Sequence, residues 1–101
     1  KLDKGENLLT CVKRELEEET GYTAEKITPL IQYWPTPAFA TEVLHLYLAE
    51  KLVPGKMNTD EDEFLQCVIV PFKKALAMVT RGEIRDSKTV IGLLSCAVNR
   101  R

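Results

Sequence analysis

A chain of 101 residues, 45% hydrophobic and 29% charged, has room for one globular domain and lacks the composition of a disordered segment. Its formal net charge of −1 and pI near 5.9 exclude a global basic field, so nucleic acid is not an expected partner. No run of about 18 apolar residues occurs, which argues against a membrane-spanning helix.

In chain order, "KLDKGEN" (1–7) reads as a polar loop with a glycine turn, the middle of a loop rather than the start of a protein. Over 7–20, Leu8, Leu9, Val12 and Leu16 recur at helical spacing, and Gly21 is the natural stop. "ITPLIQYW" (27–34) is apolar and β-prone and ends at Pro35 and Pro37. "TEVLHLYLAEKL" (41–52) is apolar on both faces apart from His45, which predicts a strand inside a covered sheet. "VPGKMNTDEDE" (53–63) is a long polar loop and "FLQCVIV" (64–70) a further predicted strand. Pro71 opens a predicted helix over 71–81, with Ala75, Leu76 and Val79 inward and Gly82 closing it. Asp86 or Ser87 caps a last helix over 88–98. This order suggests a mixed sheet with helices on both faces, short of strands unless more precede Lys1. Cys11, Cys67 and Cys96 show neither close pairing nor metal-type spacing. They point to reduced thiols in a cytosolic protein, each read as a small buried hydrophobe.

The first helix carries the strongest signal. "ELEEE" (15–19) sets four glutamates around Leu16. On a helical wheel Glu15, Glu18 and Glu19 share one sector beside the apolar face. Glu17 falls on the far side, toward solvent, where replacement costs little. Like charges three and four residues apart repel, and they crowd the helix end where the dipole disfavours them. Such a cluster is either a solvated charged face or a set of hard oxygen ligands for Mg²⁺ or Mn²⁺.

Glu6 to Tyr22 reads as a glutamate, seven residues, then R-E-L-E-E-E-T-G-Y. This resembles the Nudix box, with Glu6, Arg14, Glu15, Leu16, Glu18, Glu19, Gly21 and Tyr22 in register and Tyr22 at a position usually aliphatic. The box's first glycine would fall just before Lys1, so the resemblance implies a missing N-terminal part. It implies the Nudix α/β/α sandwich with a mixed sheet, here lacking its N-terminal strands, as one truncated domain over 1–101. It also implies Mg²⁺-dependent cleavage of a nucleoside diphosphate linked to another group. Glu15, Glu18 and Glu19 then stand as metal ligands, and Glu6, Leu16 and Gly21 as structural members of the box. Arg14 orients a carboxylate, or alternatively serves only as an intrahelical partner of Glu18.

"WPTPAFATE" (34–42) resembles a loop of ADP-ribose pyrophosphatases, with Pro37, Phe39 and Glu42 as the substrate-binding matches. Ala38 stands where glycine is common, and Pro35 and Pro37 would end a strand in any case. "DEDEF" (60–64) resembles the acidic loop of the same subfamily. By that match Glu61 is the catalytic base and Glu63 a further metal ligand; Glu61 as a solvated loop charge is the alternative, and Asp60 and Asp62 are read that way. "GEIRDSKTVIGLL" (82–94) matches only structurally. His45 is read as a packed core or interface residue rather than a general base. Tyr33 and Trp34 are core residues or stack on a base or ribose. Implied overall is a cytoplasmic, homodimeric ADP-ribose pyrophosphatase with a small nucleoside diphosphate substrate. The rivals are another nucleotide-sugar or dinucleotide pyrophosphatase, and a non-catalytic ADP-ribose sensor.

Overall fold

The computed structural model describes residues 5–36, 42–55 and 67–99. They form helix α1 (Leu8–Thr20), strands β1 (Tyr22–Tyr33) and β2 (Leu44–Pro54), and helices α2 (Phe72–Thr80) and α3 (Ser87–Asn99). Among the described residues the sheet is the pair β1–β2. Gly21 stands opposite Gly55, Thr23 opposite Val53 and Lys26 opposite Glu50, so the strands run antiparallel. The chain divides into two compact units, Lys1–Ile27 with Ala49–Val68, and Thr28–Leu48 with Ile69–Arg101.

In the first unit, α1 begins where the Asn7 side chain accepts a hydrogen bond from the Thr10 N–H at 2.8 Å. It ends at Gly21, whose left-handed backbone (φ 78°) lets its N–H reach the Glu17 carbonyl. The Thr20 hydroxyl donates to the Leu16 carbonyl and accepts from the Tyr22 N–H, so the chain passes from helix to strand with its polar groups bonded. Cys11 is the buried side chain of α1. Leu9, assigned to the apolar face by its spacing, is instead exposed.

Strand β1 starts at Tyr22, earlier than the apolar run at 27 suggested. "TAEK" lacks strand periodicity because its pairing to β2 is made by backbone and polar groups. The Gly55 N–H donates to the Gly21 carbonyl at 2.8 Å, and Lys26 meets Glu50 at 3.8 Å. Strand β2 starts at Leu44 rather than 41, and it is not sealed on both faces, since Leu52 and Val53 are exposed.

In the second unit α2 packs against α3, with Ala75 buried. Gly92 of α3 lies over Leu46 of β2, where an added Cβ would meet the leucine Cδ1 at 3.7 Å. Pro71 precedes α2, and Gly82 (φ 78°) terminates it through its N–H to the Val79 carbonyl. Asp86 caps α3, its carboxylate accepting from both the N–H and the hydroxyl of Thr89 at 3.0 Å. Residues 67–70 form no strand, contrary to the reading of "FLQCVIV"; residues 64–66 lie outside the described set. Val68 and Ile69 are 70% and 82% exposed, and β-branched residues make a strand only where a ladder partner takes their backbone groups. All three cysteines are free thiols, but only Cys11 is buried; Cys96 is half-buried and Cys67 exposed.

Candidate active site

The glutamates of α1 are held by a network built on Arg14. Its Nε donates to one carboxylate oxygen of Glu6 at 2.9 Å and its terminal nitrogen to the other at 3.2 Å. A fork that meets both oxygens fixes orientation as well as distance. The other terminal nitrogen reaches Glu18 at 2.8 Å, one turn along the helix. Arg14 thus ties the segment before the helix to α1 and pairs with Glu18. Glu6 keeps a side chain only 9% exposed, so its charge depends on that fork.

Glu15 is held differently. The buried Cys11 thiol, four residues earlier, donates to its carboxylate at 2.9 Å. That hydrogen bond, helped by the charge of Arg14, holds Glu15 below the usual carboxylate range. The same contact raises the thiol, because losing its proton would set two negative charges side by side. Sequence reading assigned Cys11 to packing alone; its i, i+4 spacing to Glu15 was the available signal.

Glu19 is exposed near the end of the helix. Glu17 does not point away into solvent as the wheel suggested. It is half-buried against Gly55 at the end of β2, a tertiary neighbour the wheel does not contain. Leu16 is half-buried and Gly21 forms the helix cap. Glu42 is exposed just before β2. Pro37, Phe39, Glu61 and Glu63 lie outside the described residues.

His45 is exposed and lines a shallow cleft with Pro29 and Tyr47, so of its two readings, core or interface, the core one fails. Trp34 is 65% exposed, whereas the Tyr33 hydroxyl is buried without a hydrogen-bond partner among the described residues.

Among the described residues no three carboxylate, imidazole or thiol groups already converge on a point that would hold a metal ion. The donor chemistry nevertheless suits a hard divalent cation. Glu15, Glu18 and Glu19 offer carboxylate oxygens within about one helical turn.

The sequence profile of the NUDIX domain matches residues 1–91, and so spans α1 with its flanking glutamate and glycine. The chain belongs to the Nudix family. This Nudix chain is 43% identical over 95 residues to the ADP-ribose pyrophosphatase of Bacillus subtilis (strain 168), covering 92% of this chain and 51% of the relative. It is 37% identical over 84 residues to the GDP-mannose pyrophosphatase of Yersinia enterocolitica, covering 80% and 44%. A crystal structure of an ADP compounds hydrolase superposes with a TM-score of 0.80 at 25% identity, covering 95% of this chain and 52% of that one. The α/β arrangement is therefore that of a Nudix fold. The Nudix chain spans about half the length of the relatives it matches.

Proposed function

We propose that this Nudix chain carries the catalytic carboxylates of a pyrophosphatase that hydrolyses ADP-ribose to AMP and ribose 5-phosphate. One observation carries the reading: the α1 carboxylate row, anchored by the Arg14–Glu6 fork, occurs in a chain 43% identical to a protein named ADP-ribose pyrophosphatase. Glu15, Glu18 and Glu19, with Glu63, would hold Mg²⁺ or alternatively Mn²⁺. Bound there, the metal would neutralise the pyrophosphate and favour ionisation of water. Arg14 keeps Glu18 and the helix entry in fixed orientation. Glu61 accepts the proton of the attacking water, whose oxygen bonds to phosphorus while the bridging P–O bond breaks toward the leaving phosphate. Pro37, Phe39 and Glu42 would line the substrate.

A homodimer in the cytosol belongs to the same reading. Neither nucleic acid nor membrane is a partner in it. The near-neutral charge supports the first point; among the described residues no helix is long and apolar enough to cross a bilayer. The relative named for GDP-mannose favours a second reading, in which the same carboxylates cut another nucleotide sugar. A sensor without catalysis is disfavoured because Glu15, Glu18 and Glu19 are all present. Product analysis with ADP-ribose, GDP-mannose and NADH in Mg²⁺ tests the choice. AMP and ribose 5-phosphate from ADP-ribose are expected, and no ADP-ribose turnover would refute it.

A further inference from the structure

Helix α1 meets the end of β2 through a closed ring of three contacts, all within one compact unit. The Gly21 N–H donates to the Glu17 carbonyl at 2.9 Å, and the Gly55 N–H donates to the Gly21 carbonyl at 2.8 Å. The ring closes where the Glu17 side chain lies on the Gly55 backbone. A Cβ at position 55 would meet the Oε2 of Glu17 and stand 2.9 Å from its Cγ and Cδ, so the end of the Glu17 side chain would have to move off its place. Gly55 is not among the glycines with a positive φ, which are Gly5, Gly21 and Gly82. Its lack of a side chain leaves room for the end of Glu17 and is not called for by a left-handed backbone.

Glu17 and Gly21 are four residues apart and so share a helix face. Two anchors one turn apart on the single residue that follows β2 restrict both rotation of α1 about its axis and sliding along it. Glu17 is flanked by Leu16 and Glu18, so any rotation that unseats it also turns the carboxylate row.

We propose that Glu17 is a positioning residue. Seated on Gly55, its side chain sets how Glu15, Glu18 and Glu19 stand relative to the end of β2. This rests on the reading of these three as the metal-binding row of a hydrolase, and it assigns a task to the one acid of the run that the box pattern leaves unspecified.

The test compares wild type, Gly55→Ala, Glu17→Ala, Glu17→Gln and the double variant Gly55→Ala/Glu17→Ala in the full chain. The readouts are kcat and KM for ADP-ribose, Mn²⁺ affinity by electron paramagnetic resonance, and thermal unfolding. Gly55→Ala and Glu17→Ala should each lower kcat by about tenfold and weaken Mn²⁺ several-fold with KM little changed, the scale expected for sub-ångström misplacement of catalytic groups. In the double variant the methyl introduced at position 55 fills the space vacated at position 17, so activity should recover to within about threefold of wild type. Glu17→Gln, which keeps the shape, should stay within about twofold.

If Gly55→Ala fails to fold, the contrast between Glu17→Ala and Glu17→Gln still decides. An active wild type whose kcat and Mn²⁺ affinity are untouched by Glu17→Ala overturns the proposal alone. So does a double variant no better than Gly55→Ala. A wild type that binds Mn²⁺ without turning over these substrates leaves Mn²⁺ affinity as the deciding readout. One that neither binds Mn²⁺ nor turns over any nucleotide sugar overturns the functional reading, and the positioning proposal falls with it.

Discussion

Helices α1 and α3 are each 13 residues long and begin the same way, with an Asn7 or Asp86 side chain accepting from the N–H three residues on. Beyond their caps they differ in kind. On α1, Arg14 binds Glu6 and Glu18, and Cys11 binds Glu15, so its charged groups hold one another. On α3 the outer positions are apolar: Leu94 and Val98 are 45% and 61% exposed and line a groove with Ile31 of β1. One helix stores its specificity in oriented charge, the other in surface that water tolerates poorly. The lesson is that a cap decides where a helix starts, whereas its function is written in what the remaining side chains are bonded to.

The largest expected effect breaks the comparison on the α1 side. Glu19→Gln removes a charge while keeping shape and should lower kcat by about 10³-fold, with far-UV circular dichroism unchanged. Steady-state kinetics in Mg²⁺ measures it, and wild-type rates would remove the metal-row argument.

Arg14→Ala comes next. It leaves Glu6, almost enclosed, without its fork and should cost about 1–3 kcal/mol, read by urea denaturation. Arg14→Lys should recover only part of this, because one ammonium cannot meet both oxygens of Glu6 and reach Glu18 as well.

The smallest effect lies on α3. The Thr89 N–H, then Lys88, hold the Asp86 carboxyl below its ordinary value of 3.8. A depressed carboxyl stabilises the fold above its unfolded value and loses that contribution as pH falls through the folded one. Thermal unfolding of wild type should therefore weaken below about pH 4 by a component that Asp86→Asn lacks. At neutral pH, Asp86→Ala should lower Tm by a few degrees, roughly what one lost cap is worth, and leave kcat/KM unchanged. Equal acid dependence in wild type and Asp86→Asn would show that the cap carries no such linkage.

The sequence by itself determined what depends on residues within about one helical turn. The stops at Gly21 and Gly82 and a cap at Asp86 or Ser87 were legible because each rests on local geometry, while the register of Glu6, Arg14, Glu15, Glu18 and Glu19 was legible through its resemblance to the Nudix box. Two of the readings that failed did so for the complementary reason. Residues 67–70 have strand-forming side chains but no ladder, and a ladder partner is not encoded in a strand's own residues. Glu17 falls on the outer side of an isolated wheel, yet tertiary folding brings Gly55 beneath its side chain. The pattern of charge was local and readable; the surface that Glu17 would face was decided by the chain's return through β2.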